Sequence, residues 1–417
     1  MLPHTGWHTS SGHGYAIALF GRLNSPHRER RTGMSTTTKA DVLVIGAGIM
    51  GASCAFRLCE QGLKVVVLEA QIAPAMGSTG RSVAGVRVQY TEEVNARLSW
   101  ESIQEYRYFQ DLYGEDAGYR SIGYLFLVPP DRWGDHLESV ALQERIGAPV
   151  KVLSVKEAQE LIAFDTTGIA GTTHGPADGI VDPHSVTFTY LRLAKERGAS
   201  IYMQTPLNSA KRVGSAWQVE TPKGTFEAEY LVNAAGSWAG EVAKRAGLGV
   251  EVPVQPVRRM VYMTAPTPWQ HIYPLTIDLV SGFYLRSEGQ RILFGRSNPD
   301  EPPGFSEGMD WDWFESTISI GLERFPWLAE TRLDRQACWW GYYEVTPDHN
   351  PILGRLPGVE NWINVAGFSG HGVQQAPAVG RIIAEELVLG KAQSINIDPL
   401  RITRFSIARQ IRERNIV

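Results

Sequence analysis

Residues 41–51 read Asp-Val-Leu-Val-Ile-Gly-Ala-Gly-Ile-Met-Gly, and residues 64–69 read Lys-Val-Val-Val-Leu-Glu. The first apolar run is the length of a buried strand. Gly46, Gly48 and Gly51 then open a helix from Ala52 to Glu60, Gly62 stops it, and the second run is another strand. One βαβ unit with glycines at its first turn lets the backbone bend tightly and presents the exposed amides of a helix N-terminus to a pyrophosphate. Glu69 ends the second strand 23 residues after Gly46, where it can accept hydrogen bonds from a ribose and would repel the extra phosphate of NADP. The unit specifies a dinucleotide without choosing FAD over NAD.

A chain of 417 residues with 43% hydrophobic content is expected to hold more than one core. Its formal net charge of -4 gives no reason to expect nucleic acid, which is met by a basic excess. A small molecule is the expected ligand. Cys54, Cys59 and Cys338 are too few and too irregularly spaced for a disulfide framework or a zinc pair. Together with the lack of a membrane-spanning run, they read as intracellular and cytoplasmic. Residues 1–33 hold four histidines, arginines at 22, 28, 30 and 31, and no sustained period. They read as an extension before Met34, or alternatively as an Arg-rich organellar presequence.

Farther along, Trp100, Ile103, Tyr106 and Tyr113 recur at helical spacing before Gly114. Asp182 can cap a helix with Pro183 first, a stripe at Val186, Tyr190 and Leu193, and Gly198 past its end. Strand-like runs lie at Gly123–Val128, Ile201–Met203, Trp217–Glu220, Tyr230–Asn233, Val261–Thr264, Phe283–Arg286 and Ile292–Gly295. Helices and strands alternate early, and strands dominate from about 250 to 340. The expected class is α/β plus α+β, a Rossmann-type dinucleotide domain interrupted by an antiparallel-sheet substrate domain. Its segments are residues 1–39 as an extension, 40–113, 178–249 and 338–395 as the dinucleotide domain, 114–177 and 250–337 as the substrate domain, and 396–417 as a tail packing on the fold.

The far end supplies Val365-Ala-Gly-Phe-Ser-Gly-His-Gly-Val-Gln-Gln-Ala-Pro377, a glycine-rich turn feeding a helix. Pro377 is expected in its first turn, and the core stripe is Val379, Ile382, Ile383 and Leu387. A reduced flavin carries negative charge at one edge, and a helix N-terminus is a matching electropositive site.

With these segments in hand, the chain resembles the D-amino-acid oxidase superfamily. The resemblance rests on Gly46-x-Gly48-x-x-Gly51 with Glu69, Val232-Asn-Ala-Ala-Gly-Ser-Trp238, Thr346-Pro-Asp-His-Asn-Pro-Ile-Leu-Gly354 and Gly367-Phe-Ser-Gly-His-Gly372. Within it the chain is most similar to the branch of sarcosine oxidase β-subunits and amino-acid dehydrogenases. Its end, with Arg404-Phe and Glu413 to Val417, is similar to the mitochondrial FAD-dependent oxidoreductase family that assists complex I assembly. The resemblance implies FAD, a two-domain fold and oxidation of a carbon–nitrogen bond. The substrate would be an amino acid or N-alkyl amino acid, with hydride passing to flavin N5 and the imine hydrolysing. The acceptor would be oxygen or a partner redox protein. The alternative it leaves open is a weakly catalytic assembly factor or subunit of a larger complex.

Carried over, Gly46, Gly48, Gly51 and Glu69 would hold the adenosine diphosphate, with Ile49, Met50 and Ala70 beside them. Ser78, Thr79, Arg81 and Ser82 would lie along the pyrophosphate and ring. Ala235, Gly236 and Trp238 would approach the adenine half. Gly341, Asp348, Gly367, Gly370, His371, Gly372, Val373 and Gln374 would surround the isoalloxazine. Arg87 resembles the family's carboxylate clamp, and Arg87, His371 and Gln374 are the candidate catalytic residues. Where the family has a tethering cysteine this chain has Gly341, which implies non-covalent FAD. The lysine that partners the clamp aligns with Gln374. The lysine that activates oxygen aligns with Leu293, in a stretch supplying Arg286, Arg291 and Arg296 but no lysine, which favours a dehydrogenase over an oxidase. His184 reads as an exposed helix-start residue.

Overall fold

A computed structural model describes residues 37–406 and 413–414. The expectations for residues 1–33 lie outside the described residues, as do those for most of the run 407–417.

The opening strand, Thr38–Ile45, runs parallel to Gly224–Asn233 on one side and Val65–Leu68 on the other. The full order is Ile352–Leu356, Val359–Ala366, Gly224–Asn233, Thr38–Ile45, Val65–Leu68 and Ser200–Tyr202. All neighbours are parallel except the terminal hairpin 352–366, and a second hairpin, 209–221, extends Gly224–Asn233. Because side chains alternate, Val42 and Val44 face one layer and Leu43 and Ile45 the other, and all four are buried. The first layer is helical. Ile49–Glu60, Glu93–Arg107, Pro183–Glu196 and Gly372–Val388 pack there, the last through Val379, Ile382, Ile383 and Leu387 as expected. Asp182 caps its helix through the amides of His184 and Ser185, and His184 is exposed.

The second sheet has the order Trp339–Val345, Gln255–Met263, Arg291–Gly295, Tyr284–Glu288, Leu275–Asp278, Tyr124–Val128, Gly171–Gly175 and Lys151–Leu153. Two expectations change here. The sheet is not wholly antiparallel, since Leu275–Asp278 runs parallel to Tyr124–Val128. Trp339–Val345, placed from sequence in the dinucleotide domain beginning at 338, pairs with Gln255–Met263 over seven residues and belongs to the second sheet. A strand crosses from one sheet to the other where hydrogen bonding leads it, which composition does not reveal. Among the described residues no helix is long and apolar enough to cross a membrane.

Pro377 also differs from its expected place. The helix begins at Gly372, so Pro377 sits in its second turn, where it cannot donate to the Val373 carbonyl four residues back. The tertiary structure supplies the missing donor, because the Tyr106 hydroxyl gives that carbonyl a 2.7 Å hydrogen bond. Ser53 does the same for the Ala376 carbonyl at 2.7 Å, and the Ser102 hydroxyl accepts the Ala378 amide at 3.2 Å.

Candidate active site

A cleft between the two sheets encloses about 1700 Å³, its open mouth included. At one end, Gly46 turns the chain with φ +103°, and the Ala47 amide donates to Glu69 Oε2 at 2.7 Å. Glu69 Oε1 accepts from the Gln71 amide at 2.8 Å, so this carboxylate holds the turn it shares with the cleft. A Cβ at Gly51 would stand 2.0 Å from the Gly46 carbonyl oxygen. Gly51 therefore permits helix to pack on strand, and it does not line the cleft.

At the other end, a Cβ on Gly370 would meet the Tyr343 ring at 2.4 Å, and Gly370 takes φ +95°. The helix from Gly372 starts there. Neither this helix nor Ile49–Glu60 is capped by its own N-cap residue or has an acidic residue in its first turn, so both point positive dipole ends at the cleft, with only the Thr79 hydroxyl accepting the Ile49 amide at 3.1 Å.

Of the residues expected at the cofactor, Gly46, Gly48, Ile49, Met50, Glu69, Ala70, Ser78, Thr79, Arg81, Ser82, Ala235, Gly236, Trp238, Gly341, Gly370, Gly372 and Val373 line this one cleft. Asp348 does not. It is buried in an ion pair with Arg404 at 2.6 Å, which ties the C-terminal segment to the Thr346–Asn350 turn. Gly367 is likewise behind the wall, its amide donating to Glu344 at 3.0 Å. Burial raises the Glu344 carboxyl to about 7 despite the Gly367 and Phe368 amides that favour its charged form.

Arg87, His371 and Gln374 come together just behind the Gly370 turn, and none of the three lines the cleft itself. Arg87 is buried, with its guanidinium 4.2 Å from the Tyr90 ring centroid and Nη2 3.5 Å from His371 Nε2. Its backbone amide donates to Gln374 Oε1 at 3.3 Å, and the Tyr90 hydroxyl donates to the same oxygen at 2.6 Å. Burial, reinforced by the Arg87 charge, holds His371 well below the usual imidazole range, so it is neutral at physiological pH.

Leu293, the position aligned with an oxygen-activating lysine, is fully buried in the apolar core and does not line the cleft. Arg286 and Arg291 turn to Glu288 and Asp334. The lining residues missed from sequence include Arg259, Tyr284 and Glu344. The strand expected from Val261 in fact begins at Gln255 and so takes in Arg259. The alternation through Arg259, Val261 and Met263 was the available signal.

Residues 41–386 match the DAO family of FAD-dependent oxidoreductases. This chain is a member of that family. FAD is its cofactor, and the positive helix ends, the Gly46 turn and the glycine-lined wall of the cleft fit a dinucleotide with a flat ring. The chain is 30% identical to FAD-dependent oxidoreductase domain-containing protein 1 of Xenopus laevis, over 93% of this chain and 86% of the relative. It is 27% identical to mitochondrial dimethylglycine dehydrogenase of Mus musculus over 88% of this chain, but spans only 45% of that protein. The structure of L-proline dehydrogenase from P. horikoshii superposes with a TM-score of 0.83 at 28% identity, covering 90% of this chain and 100% of the other. As a family member, the chain is an FAD-dependent oxidoreductase of amino-acid-type substrates.

Proposed function

We propose that the protein oxidises the carbon–nitrogen bond of an amino acid or N-alkyl amino acid, with FAD held non-covalently and an acceptor other than oxygen taking the electrons. The observation that carries this is the group Arg87, His371 and Gln374, gathered directly behind the helix end at Gly372. A guanidinium beside an amide can orient a substrate carboxylate, placing the amine and its neighbouring carbon toward the cleft. Bound FAD supplies the electron-accepting ring. The chain's own work is positioning, exclusion of water and stabilisation of developing negative charge by the Gly372 helix end. No strong base is needed when the amine enters neutral, and neutral His371 is consistent with that. The names of the dimethylglycine and proline dehydrogenases, at 27% and 28% identity, support the substrate class. Non-covalent attachment is supported by Gly341, which offers no thiol at that position of the wall, and by Cys338, which hydrogen-bonds Asp334 away from the cleft. A non-oxygen acceptor is supported by the absence of lysine from the lining.

The test is anaerobic addition of N-methyl and cyclic amino acids to the yellow holoprotein. Loss of the oxidised-flavin absorbance near ~450 nm is expected with at least one of them. A panel that leaves the flavin oxidised throughout overturns the assignment, and yellow colour kept by an acid-denatured, washed pellet overturns non-covalent binding.

A further inference from the structure

Arg259 stands on Gln255–Met263 directly opposite Gly341 on Trp339–Val345. Opposed residues of an antiparallel pair project from the same face. Gly341 has no side chain to fill that face, and Arg259 occupies the cleft wall with Val261, Tyr284 and Tyr343. Its guanidinium lies 5.3 Å from the Tyr343 ring centroid. Nη1 donates to the neighbouring Arg258 carbonyl at 3.0 Å, while Nε is buried without a hydrogen-bond partner.

Four other arginines set into this fold meet carboxylates: Arg57 with Glu105, Arg258 with Glu301, Arg324 with Asp278 and Arg404 with Asp348. Arg259 has no such partner among the described residues, and Glu301, the nearby acid, is engaged by Arg258 at 2.9 Å. A buried charge is ordinarily paired, so a cation left facing a ligand cleft calls for an anion from the ligand.

The position of Arg259 identifies which anion. The Gly46 turn, built for phosphates, lies on the other sheet. Arg259 instead sits beside Tyr343, whose ring packs on Gly370, and the next residue, His371, meets Arg87. Tyr343 is thus within electrostatic range of both guanidinium groups, Arg259 and Arg87. We propose that Arg259 binds a second carboxylate, so that the substrate class is amino acids carrying two carboxylates, either acidic or N-carboxyalkyl. This rests on the reading of the cleft as an amino-acid-oxidising site with Arg87 at the first carboxylate.

Titration of the holoprotein with glutarate and with butyrate, followed by perturbation of the flavin absorbance, tests it without turnover. Glutarate should bind about tenfold or more tightly than butyrate, the size expected of one charge-assisted contact. Arg259→Gln should bring the two affinities to within about twofold, and Arg259→Lys should restore part of the difference. FAD content should be the same in all three proteins. Equal binding by the native protein, or a preference that survives Arg259→Gln, overturns the proposal. Loss of FAD from Arg259→Gln with recovery in Arg259→Lys also overturns it, by assigning the charge to the cofactor. Flavin bleaching by monocarboxylate amines without any dicarboxylate preference sinks this inference and leaves the amine-oxidising function standing. Failure of every amine to bleach the flavin sinks that function instead.

Discussion

Two helices aim N-termini without an acidic first turn into the same cleft, and they are built differently. Ile49–Glu60 follows a strand through a glycine turn and has no proline, so its N-terminus is set by the adjoining turn, while its body packs on Pro183–Glu196 and Gly372–Val388. Gly372–Val388 carries Pro377 in its interior and depends on hydroxyls from Ser53, Ser99, Ser102 and Tyr106, the nearest of them 267 residues away in sequence. The first end is a local device. The second is a device of tertiary structure, and it is the one beside the candidate catalytic group.

The comparison can be broken most severely at the local end. Gly51→Ala drives a Cβ into the Gly46 carbonyl, a backbone atom that cannot move without moving the turn. We expect a loss of about 3 kcal/mol, at the upper end of overpacking effects, with most of the protein purified free of FAD. A yellow Gly51→Ala protein of unchanged Tm would show that the turn does not depend on this approach.

At the tertiary end, Arg87→Ala should raise the apparent KM by roughly ten- to a hundredfold, corresponding to a charge-assisted contact of about 1.5–3 kcal/mol, with FAD content unchanged. Unaltered binding of carboxylate inhibitors would remove Arg87 from the clamp. Tyr106→Phe tests the support of Pro377. It leaves the Val373 carbonyl buried without its donor, and unfolding by urea should show a loss of about 1–3 kcal/mol. A midpoint equal to the native protein's would mean that the proline kink is self-sufficient.

The smallest effect concerns pH. Glu344 has a folded-state carboxyl raised to about 7, above its unfolded value near ~4.3. The folded state therefore holds this proton more tightly, and its contribution is full below the unfolded value and lost as pH rises through about 7. Glu344→Gln should flatten the decline in thermal stability between roughly pH 5 and 8, by at most about 3 kcal/mol across the window. An unchanged slope would assign the decline to other groups, such as Asp178, which burial also raises to about 7.

Leu293→Lys, which the alignment suggests as a way to speed reoxidation by oxygen, would instead place a charge in a fully buried apolar position. The strand was correctly placed and its residue facing was not, because adjacent strand residues point to opposite faces and only the packed structure says which face meets the cleft. The same reason accounts for Arg259. Asp348 differs for another reason: it lies in the turn between two strands, and its side chain is taken up by Arg404.

The sequence by itself determined the βαβ unit, the helix capped by Asp182 and the glycine turn before Gly372, because those features depend on local backbone demands: glycine at positive φ or close approach, a cap at a helix start, apolar spacing along one face. Tertiary structure alone decided which strands cross to the second sheet, where the hydroxyls that relieve Pro377 come from, and that Arg259 faces the cleft with no carboxylate partner among the described residues while Leu293 is buried. Those outcomes depend on pairing register and burial between segments hundreds of residues apart, which no local spacing records.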